Sequence, residues 1–241
     1  MKVNYVISNY LGDRRYAPKL KDDALFYAKA YCKYFQDNKF DSISKVTFVL
    51  NKSNDKDRDN KFIDYIKKVK LNVEHELIVR DNKGFSYGAW QEVVGKNKDF
   101  DYHFLMEDDY IPTNNKIIDY FLAEMKSDSV VYVCCIYTEG HCAMSGGLLN
   151  TKIVNKETRI NSDMILNSET KLSDSYVDGV HNQRIFLKNF EELGYKINDL
   201  KDKRWLFVNH IGHITQHGNL EGDVILKPLY ADRGSYMLEG L

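Results

Sequence analysis

Phe104-Leu105-Met106-Glu107-Asp108-Asp109-Tyr110-Ile111-Pro112 is the stretch on which the fold turns. Its apolar start, extended back to Tyr102, has the length and residue types of a buried strand, and it opens directly into three consecutive acids. Pro112 has no N–H to give a ladder, so the strand is expected to stop there with the acids at its carboxyl end. In an open α/β sheet that end faces the ligand crevice. Three adjoining carboxylates repel one another, and a hard cation or a solvated turn relieves the repulsion. Surface acid runs are rarely launched from a continuous apolar segment, so the junction is read as a place for a metal ion.

Working outward, the same strand vocabulary recurs before it. Val3 to Ser8, Val46 to Leu50 and Leu77 to Val79 read as strands. Between them, Leu20, Ala24, Tyr27, Ala28, Tyr31 and Tyr34 recur at helical spacing, as do Phe62, Ile66 and Val69, and Phe85 to Val94 is expected to be helical. The alternation β-α-β-α-β-α-β predicts an α/β fold with a mostly parallel central sheet flanked by helices. Beyond Pro112 a helix over Lys116 to Met125 leads to a strand, Val130 to Ile136, and then to a Gly-rich loop, Tyr137 to Gly147. A last helix, Gln183 to Leu193, is closed by Gly194. The remainder reads as short strands and loops.

Composition narrows the function. The 241 residues carry 34 basic and 35 acidic side chains, scattered rather than gathered in a stripe, which argues against nucleic acid as a partner. No stretch approaches the roughly 18 apolar residues of a membrane span, and the start of the chain lacks a signal-peptide core. The four cysteines, Cys32, Cys134, Cys135 and Cys142, match no metal or disulfide spacing and are read as reduced, so a soluble cytoplasmic protein is expected. With three prolines and no linker or repeat, a single domain is expected, residues 1–110 forming a nucleotide-binding half and 111–241 an acceptor half.

A second segment, Asp81-Asn82-Lys83-Gly84-Phe85-Ser86-Tyr87-Gly88, stands at a strand-to-helix turn. It is not G-x-G-x-x-G, so no dinucleotide fingerprint is present. Gly84 still lets backbone N–H groups at a helix start face an anion, and Gly88 lets the helix approach a ligand or strand closely. Together with Glu107-Asp108-Asp109 and with Asp178-Gly179-Val180-His181-Asn182-Gln183-Arg184 leading to Gly194-Tyr195, these segments resemble the GT-A class of nucleotide-sugar glycosyltransferases. The acids look like the D-x-D or E-D-D motif of that class. Asn82-Lys83-Gly84 looks like its N-x-G segment, and Asp178 stands where inverting members carry the catalytic base, though the interval to Gly194 is longer here.

The resemblance implies a metal-dependent glycosyltransferase that moves a sugar from a UDP- or GDP-linked donor to a glycan or other hydroxyl acceptor. It gives Asp109 to a Mn²⁺ or Mg²⁺ ion, and Glu107 and Asp108 to the ribose, the metal or its waters. Ser8, Asn9, Asn51, Asp81, Asn82, Gly84 and Tyr87 join the nucleotide contacts. Of His210, His213 and His217, His213 beside Gly212 is the metal candidate. Asp178, with Asp174 in reserve, is the general base, and Gly146, Gly147 and Trp205 are acceptor contacts. Physical chemistry asks for the same parts: a divalent cation neutralises the departing diphosphate, and a carboxylate takes the proton of the attacking hydroxyl. Two other readings compete, a sugar-phosphate nucleotidyltransferase and a non-catalytic carbohydrate-binding module. The first normally shows a Gly-rich, Arg-containing loop after the first strand, of which Ser8-Asn-Tyr-Leu-Gly12-Asp-Arg14-Arg15 is a poor version.

Overall fold

The computed structural model describes residues 1–12, 23–108, 110–112, 115–134, 137–138, 141–142, 146–157, 185–200 and 226–228. The first half runs β1 (Val3–Tyr10), α1 (Phe26–Asp37), β2 (Ile43–Asn51), α2 (Lys56–Lys68), β3 (His75–Arg80), α3 (Phe85–Lys96) and β4 (Tyr102–Glu107). The second runs β5 (Tyr110–Pro112), α4 (Ile117–Glu124), β6 (Val130–Cys134), β7 (Tyr137–Thr138), β8 (His141–Cys142), β9 (Gly147–Asn150) and α5 (Thr151–Lys156). Residues 185–192 are helical and are labelled α6, followed by β10 (Lys196–Asp199) and β11 (Leu226–Pro228).

Seven of these strands form one sheet in the order β10-β6-β9-β4-β1-β2-β3. Neighbours are parallel except around β9, which runs antiparallel to both β4 and β6. Alternate residues point to opposite faces, and both faces are covered, which is why the strands read as nearly continuous apolar runs. Tyr5, Ile7, Phe48, Phe104 and Met106 face α1, α2 and α4. Val6, Val49 and Leu105 face α3, α5 and α6. Aromatic rings tie the first face together: the Tyr5 ring lies 5.2 Å from Phe35 and 5.0 Å from Phe104, and Phe104 lies 4.8 Å from Phe121.

The strand order fixes where a ligand can enter. From β1 the chain steps outward through α1 and α2 to β2 and β3, then returns through α3, on the other face, to β4 on the far side of β1. Crossovers of one hand require that change of face. The reversal leaves a crevice beyond the carboxyl ends of β1 and β4, the topological switch point of the sheet.

Two expectations are revised here. Pro112 does not end β4. That strand ends at Glu107, and Tyr110–Pro112 form a separate antiparallel ladder with Leu226–Pro228, each proline sitting at one end. The loop expected over Tyr137 to Gly147 contains the β7–β8 hairpin and reaches the first residue of β9, a strand in the middle of the sheet. Cys32 and Cys134 are buried free thiols.

Candidate functional site

The switch point is built from strand ends in register. Ser8 of β1 pairs with Glu107, the last residue of β4, and on the other side Tyr10 pairs with Asn51, which pairs in turn with Arg80 of β3. The end of β4 is anchored from both faces: the Tyr31 hydroxyl on α1 donates to the Glu107 carbonyl at 3.2 Å, and the Trp90 indole on α3 donates to the Met106 carbonyl at 3.2 Å. The chain therefore leaves the sheet at a fixed place within the acid run, after Glu107.

Of those acids, Asp108 is buried, at 1% exposure. Its backbone N–H donates to the Ser8 carbonyl at 3.1 Å, and its Oδ2 accepts from the Tyr10 N–H at 3.2 Å. One carboxylate oxygen of Asp108 is thus engaged in holding the end of β1 against the end of β4. Glu107 is half-buried at the strand tip. Asp109, Asp174, Asp178, Trp205 and His213 lie outside the described residues. Among the described residues no cluster of three His, Cys, Asp or Glu side chains could hold a metal ion. Glu107 and Asp108 are hard oxygen donors of the kind Mg²⁺ and Mn²⁺ take, and such ions are commonly held by one or two carboxylates with phosphates and waters completing the shell.

Beside the acids lies a polar layer. Asn9 is buried and donates to the carbonyls of Ile7, at 2.9 Å, and Val49, at 3.3 Å. Asn51 is buried and donates to Ser8 Oγ at 2.9 Å and to the Asn9 carbonyl at 3.2 Å. Arg80 donates to Asn51 Oδ1 at 2.5 Å, to the Lys83 carbonyl at 2.8 Å and to Glu92 Oε2 at 2.9 Å. The exposed Asp81 pairs with Lys52 Nζ at 3.0 Å, and hydrogen bonding from that lysine holds the Asp81 carboxyl below its ordinary range. Burial raises the Glu92 carboxyl, but hydrogen bonds from Lys96 and Arg80 bring it below its ordinary value.

The β3–α3 turn completes the edge. Gly84 is left-handed, at φ 72°, and Phe85 after it also has positive φ, at 51°. A bulky residue there is a local strain held by its surroundings. No side chain caps the start of α3, and its first turn carries no acid. The contrast with α2 is informative: Asp55 accepts from the Arg58 N–H at 3.1 Å, and Asp57 and Asp59 sit in that first turn. The positive end of α2 is therefore already neutralised, whereas that of α3 has no side-chain partner of this kind. An open cleft of about 640 Å³, lined by Tyr10, Gly12, Asn54 and Arg58 among others, lies between the end of β1 and the start of α2.

The structure thus brings together Ser8, Asn9, Asn51, Asp81, Asn82, Gly84, Glu107 and Asp108 at one edge of the sheet. Tyr87 is set apart, buried at 2% exposure with its ring 6.5 Å from Phe186 in the core under α3. The small size of Gly88 serves its own turn, since a Cβ there would lie 2.1 Å from the Lys83 carbonyl oxygen. Gly147 is buried at the head of β9, where a Cβ would lie 1.8 Å from the Tyr132 hydroxyl. Gly146, at φ 73°, donates its N–H to the Leu105 carbonyl at 2.8 Å and leads into that strand. Arg80 and Tyr10 are site residues that sequence reasoning missed. A lone arginine ending an apolar strand just before the Asn82-Lys83-Gly84 turn is the signal that could have found Arg80.

No protein-family model matches the sequence, and no curated protein is similar to it. Solved structures do resemble the fold. A mannosyltransferase from Pyrobaculum calidifontis, in complex with GDP-Man and Mn²⁺, aligns with a TM-score of 0.52 at 11% identity, over 83% of this chain and 55% of its own. The chain therefore spans about half the length of that enzyme. Mouse xyloside xylosyltransferase 1, in its apo form, aligns at 0.52 and 10% identity over 94% of this chain and 97% of its own. A cytidylyltransferase from Leptospira borgpetersenii aligns at 0.51 and 12% identity, over 83% and 75%. These likenesses establish the fold: a single α/β domain of GT-A-like architecture, with a mostly parallel seven-stranded sheet between helices.

Proposed function

We propose that this chain is a metal-dependent glycosyltransferase, acting in the cytoplasm, that moves a sugar from a UDP- or GDP-linked donor to a glycan or other hydroxyl acceptor. The observation that carries the reading is the switch point itself. It sets two carboxylates at the end of β4, Glu107 and Asp108, on the same carboxyl edge as an uncapped helix start at Gly84, with the ends of β1 and β2 between them. Carboxylates accept from ribose hydroxyls or hold a cation, and N–H groups at a helix start without a side-chain cap can receive phosphate oxygens, so the two halves of the edge suit the two halves of a nucleotide. The mannosyltransferase of the same fold, with GDP-Man and Mn²⁺ bound, supports that choice of ligand.

In this reading Glu107 and Asp109, with His213, hold Mn²⁺ or Mg²⁺, which when bound neutralises the charge of the departing diphosphate. Ser8, Asn9, Asn51, Asp81, Asn82 and Gly84 bind and orient the nucleotide, and Asp108 keeps β1 and β4 aligned beneath it. Asp178, with Asp174 in reserve, takes the acceptor proton in an inverting transfer, and Gly146, Gly147 and Trp205 line the acceptor side.

A second reading, sugar-phosphate nucleotidyl transfer, is favoured by the cytidylyltransferase of the same fold. One assay separates the two. The protein is incubated with UDP- and GDP-sugars and a mixed glycan acceptor panel, with and without Mn²⁺, and in parallel with CTP or UTP and sugar phosphates. Metal-dependent release of nucleoside diphosphate supports the glycosyltransferase. Pyrophosphate release from the second set supports the nucleotidyltransferase, and turnover of neither assigns the fold to a binding module.

A further inference from the structure

We propose that Arg80 is the positioning residue of the nucleotide edge, holding Asn51 and the β3–α3 turn in one geometry and acting on the ligand through them. The proposal rests on the nucleotide-sugar reading above. The Arg80 side chain is only 10% exposed, and its guanidinium meets three groups from three segments. Nη1 donates to Asn51 Oδ1 at the tip of β2, Nη2 to the Lys83 carbonyl in the turn, and Nε to Glu92 on the second turn of α3.

The first of these bonds decides an orientation. An amide whose oxygen is held by a guanidinium must turn its NH₂ the other way, and Asn51 Nδ2 accordingly donates to Ser8 Oγ and the Asn9 carbonyl. The tips of β1, β2 and β3 are thereby coupled through one side chain. The second bond holds the Lys83 carbonyl, one residue before the left-handed Gly84 that starts α3. Glu92 supplies the counter-charge and is itself bridged to Lys96 at 2.6 Å.

Gly88 points independently to the same contact. A Cβ at that position would lie 2.1 Å from the Lys83 oxygen and 3.0 Å from Arg80 Nη2, so a side chain there would occupy the space of the clamp. Every group fixed by Arg80, apart from its counter-charge, belongs to the carboxyl edge of the sheet and none to the apolar layers. A lysine cannot substitute, because a single ammonium does not present three coplanar donors to acceptors at three directions.

The test titrates UDP, GDP and CDP, each with Mn²⁺, into the wild type, Arg80→Lys and Arg80→Met by calorimetry at 15 °C, with the melting temperature of each protein measured alongside. For the nucleotide that the wild type binds, the folded Arg80→Lys protein is expected to bind at least about tenfold more weakly, the size of effect that follows when one charge-assisted hydrogen bond ordering the binding edge is lost. With a turned-over donor, KM rises by a similar factor while kcat at saturation changes less. Wild-type affinity in a folded Arg80→Lys protein, whatever its melting temperature, makes Arg80 a structural anchor and overturns the proposal. Should Arg80→Met fail to fold, Glu92→Gln, which keeps the arginine and removes its counter-charge, is titrated in its place, and unchanged affinity there together with unchanged Arg80→Lys affinity overturns the proposal equally. A wild type that binds none of the three nucleotides is a different failure, that of the nucleotide reading, and removes this inference with it.

Discussion

Gly88→Ala sets two principles against each other with opposite signs. In the interior of a helix, alanine is favoured over glycine by about 1 kcal/mol, so propensity alone predicts a more stable protein. The structure predicts the reverse. The added Cβ would stand 2.1 Å from the Lys83 carbonyl oxygen, a backbone atom, and 3.0 Å from Arg80 Nη2. Restoring an ordinary carbon–oxygen contact requires the turn to move by more than about 1 Å. That movement breaks the 2.8 Å bond from Arg80 to Lys83, a hydrogen bond to a charged donor worth about 1.5–3 kcal/mol. Overpacking adds about 1–3 kcal/mol. After the propensity gain is subtracted, the net loss is about 3 kcal/mol, which for a domain of this size lowers the melting temperature by about 6–12 °C. Differential scanning calorimetry of wild type and variant at pH 7 measures it. A melting temperature unchanged or raised in Gly88→Ala refutes the clamp geometry at this turn.

Three further outcomes are expected. Burial pushes the His103 imidazole down to about 4, only partly offset by its bond to the Asn97 carbonyl; the folded state therefore binds fewer protons than the unfolded one between pH 6.5 and 4, and the stability due to neutral His103, about 3 kcal/mol, is present above pH 6.5 and lost as the pH falls to 4. Urea midpoints for wild type and His103→Gln at pH 7 and 4.5 check this, the variant losing less on acidification, and equal losses would contradict it. Gly147→Ala brings a methyl group 1.8 Å from the hydroxyl of the fully buried Tyr132 ring, so its melting temperature is expected to fall by about 5–10 °C, and an unchanged one would show that β9 and β6 do not meet as described. Asp178→Asn keeps donor and metal affinity but lowers turnover roughly 100-fold or more if Asp178 is the base, and near-normal turnover passes the test to Asp174→Asn.

What the sequence disclosed follows from the range of the interactions involved. β1, β2 and β4 are buried on both faces, so each announces itself locally as an apolar run, and the places where those runs end locate Ser8, Asn51 and Glu107 without any tertiary knowledge; β3, at the edge of the sheet, is only half-buried and is marked by the short run Leu77 to Val79. β9 gives no such signal. It has four residues, its first is a glycine following a glycine, and its place comes from antiparallel pairing with β4 and β6, which no local pattern encodes. β5 was hidden for the same reason, because its partner β11 lies more than a hundred residues further along the chain.

The site divides similarly. Gly84 was legible because a strand-to-helix turn of this kind calls for positive φ, and it has it. The tight contact at Gly88 was not, because the atom nearest a side chain there is a carbonyl placed by the turn five residues before it. Arg80 escaped because its acceptors lie 29, 3 and 12 residues away, with no common period. Asp108 read as a ligand group, and the structure shows one of its oxygens already committed to the Tyr10 N–H.

The edge formed by β1, β4 and the start of α3 is proposed to bind a nucleoside diphosphate with a divalent cation. Calorimetric titration of UDP and GDP into the wild type, Glu107→Ala and Asp109→Ala, each with Mn²⁺ and again with EDTA, tests it most directly. The wild type is expected to show one site per chain for at least one of the nucleotides, with an affinity at least about tenfold lower in EDTA and a comparable loss in both variants while they remain folded. Binding that is indifferent to EDTA and to both substitutions, or no binding at all, would contradict it.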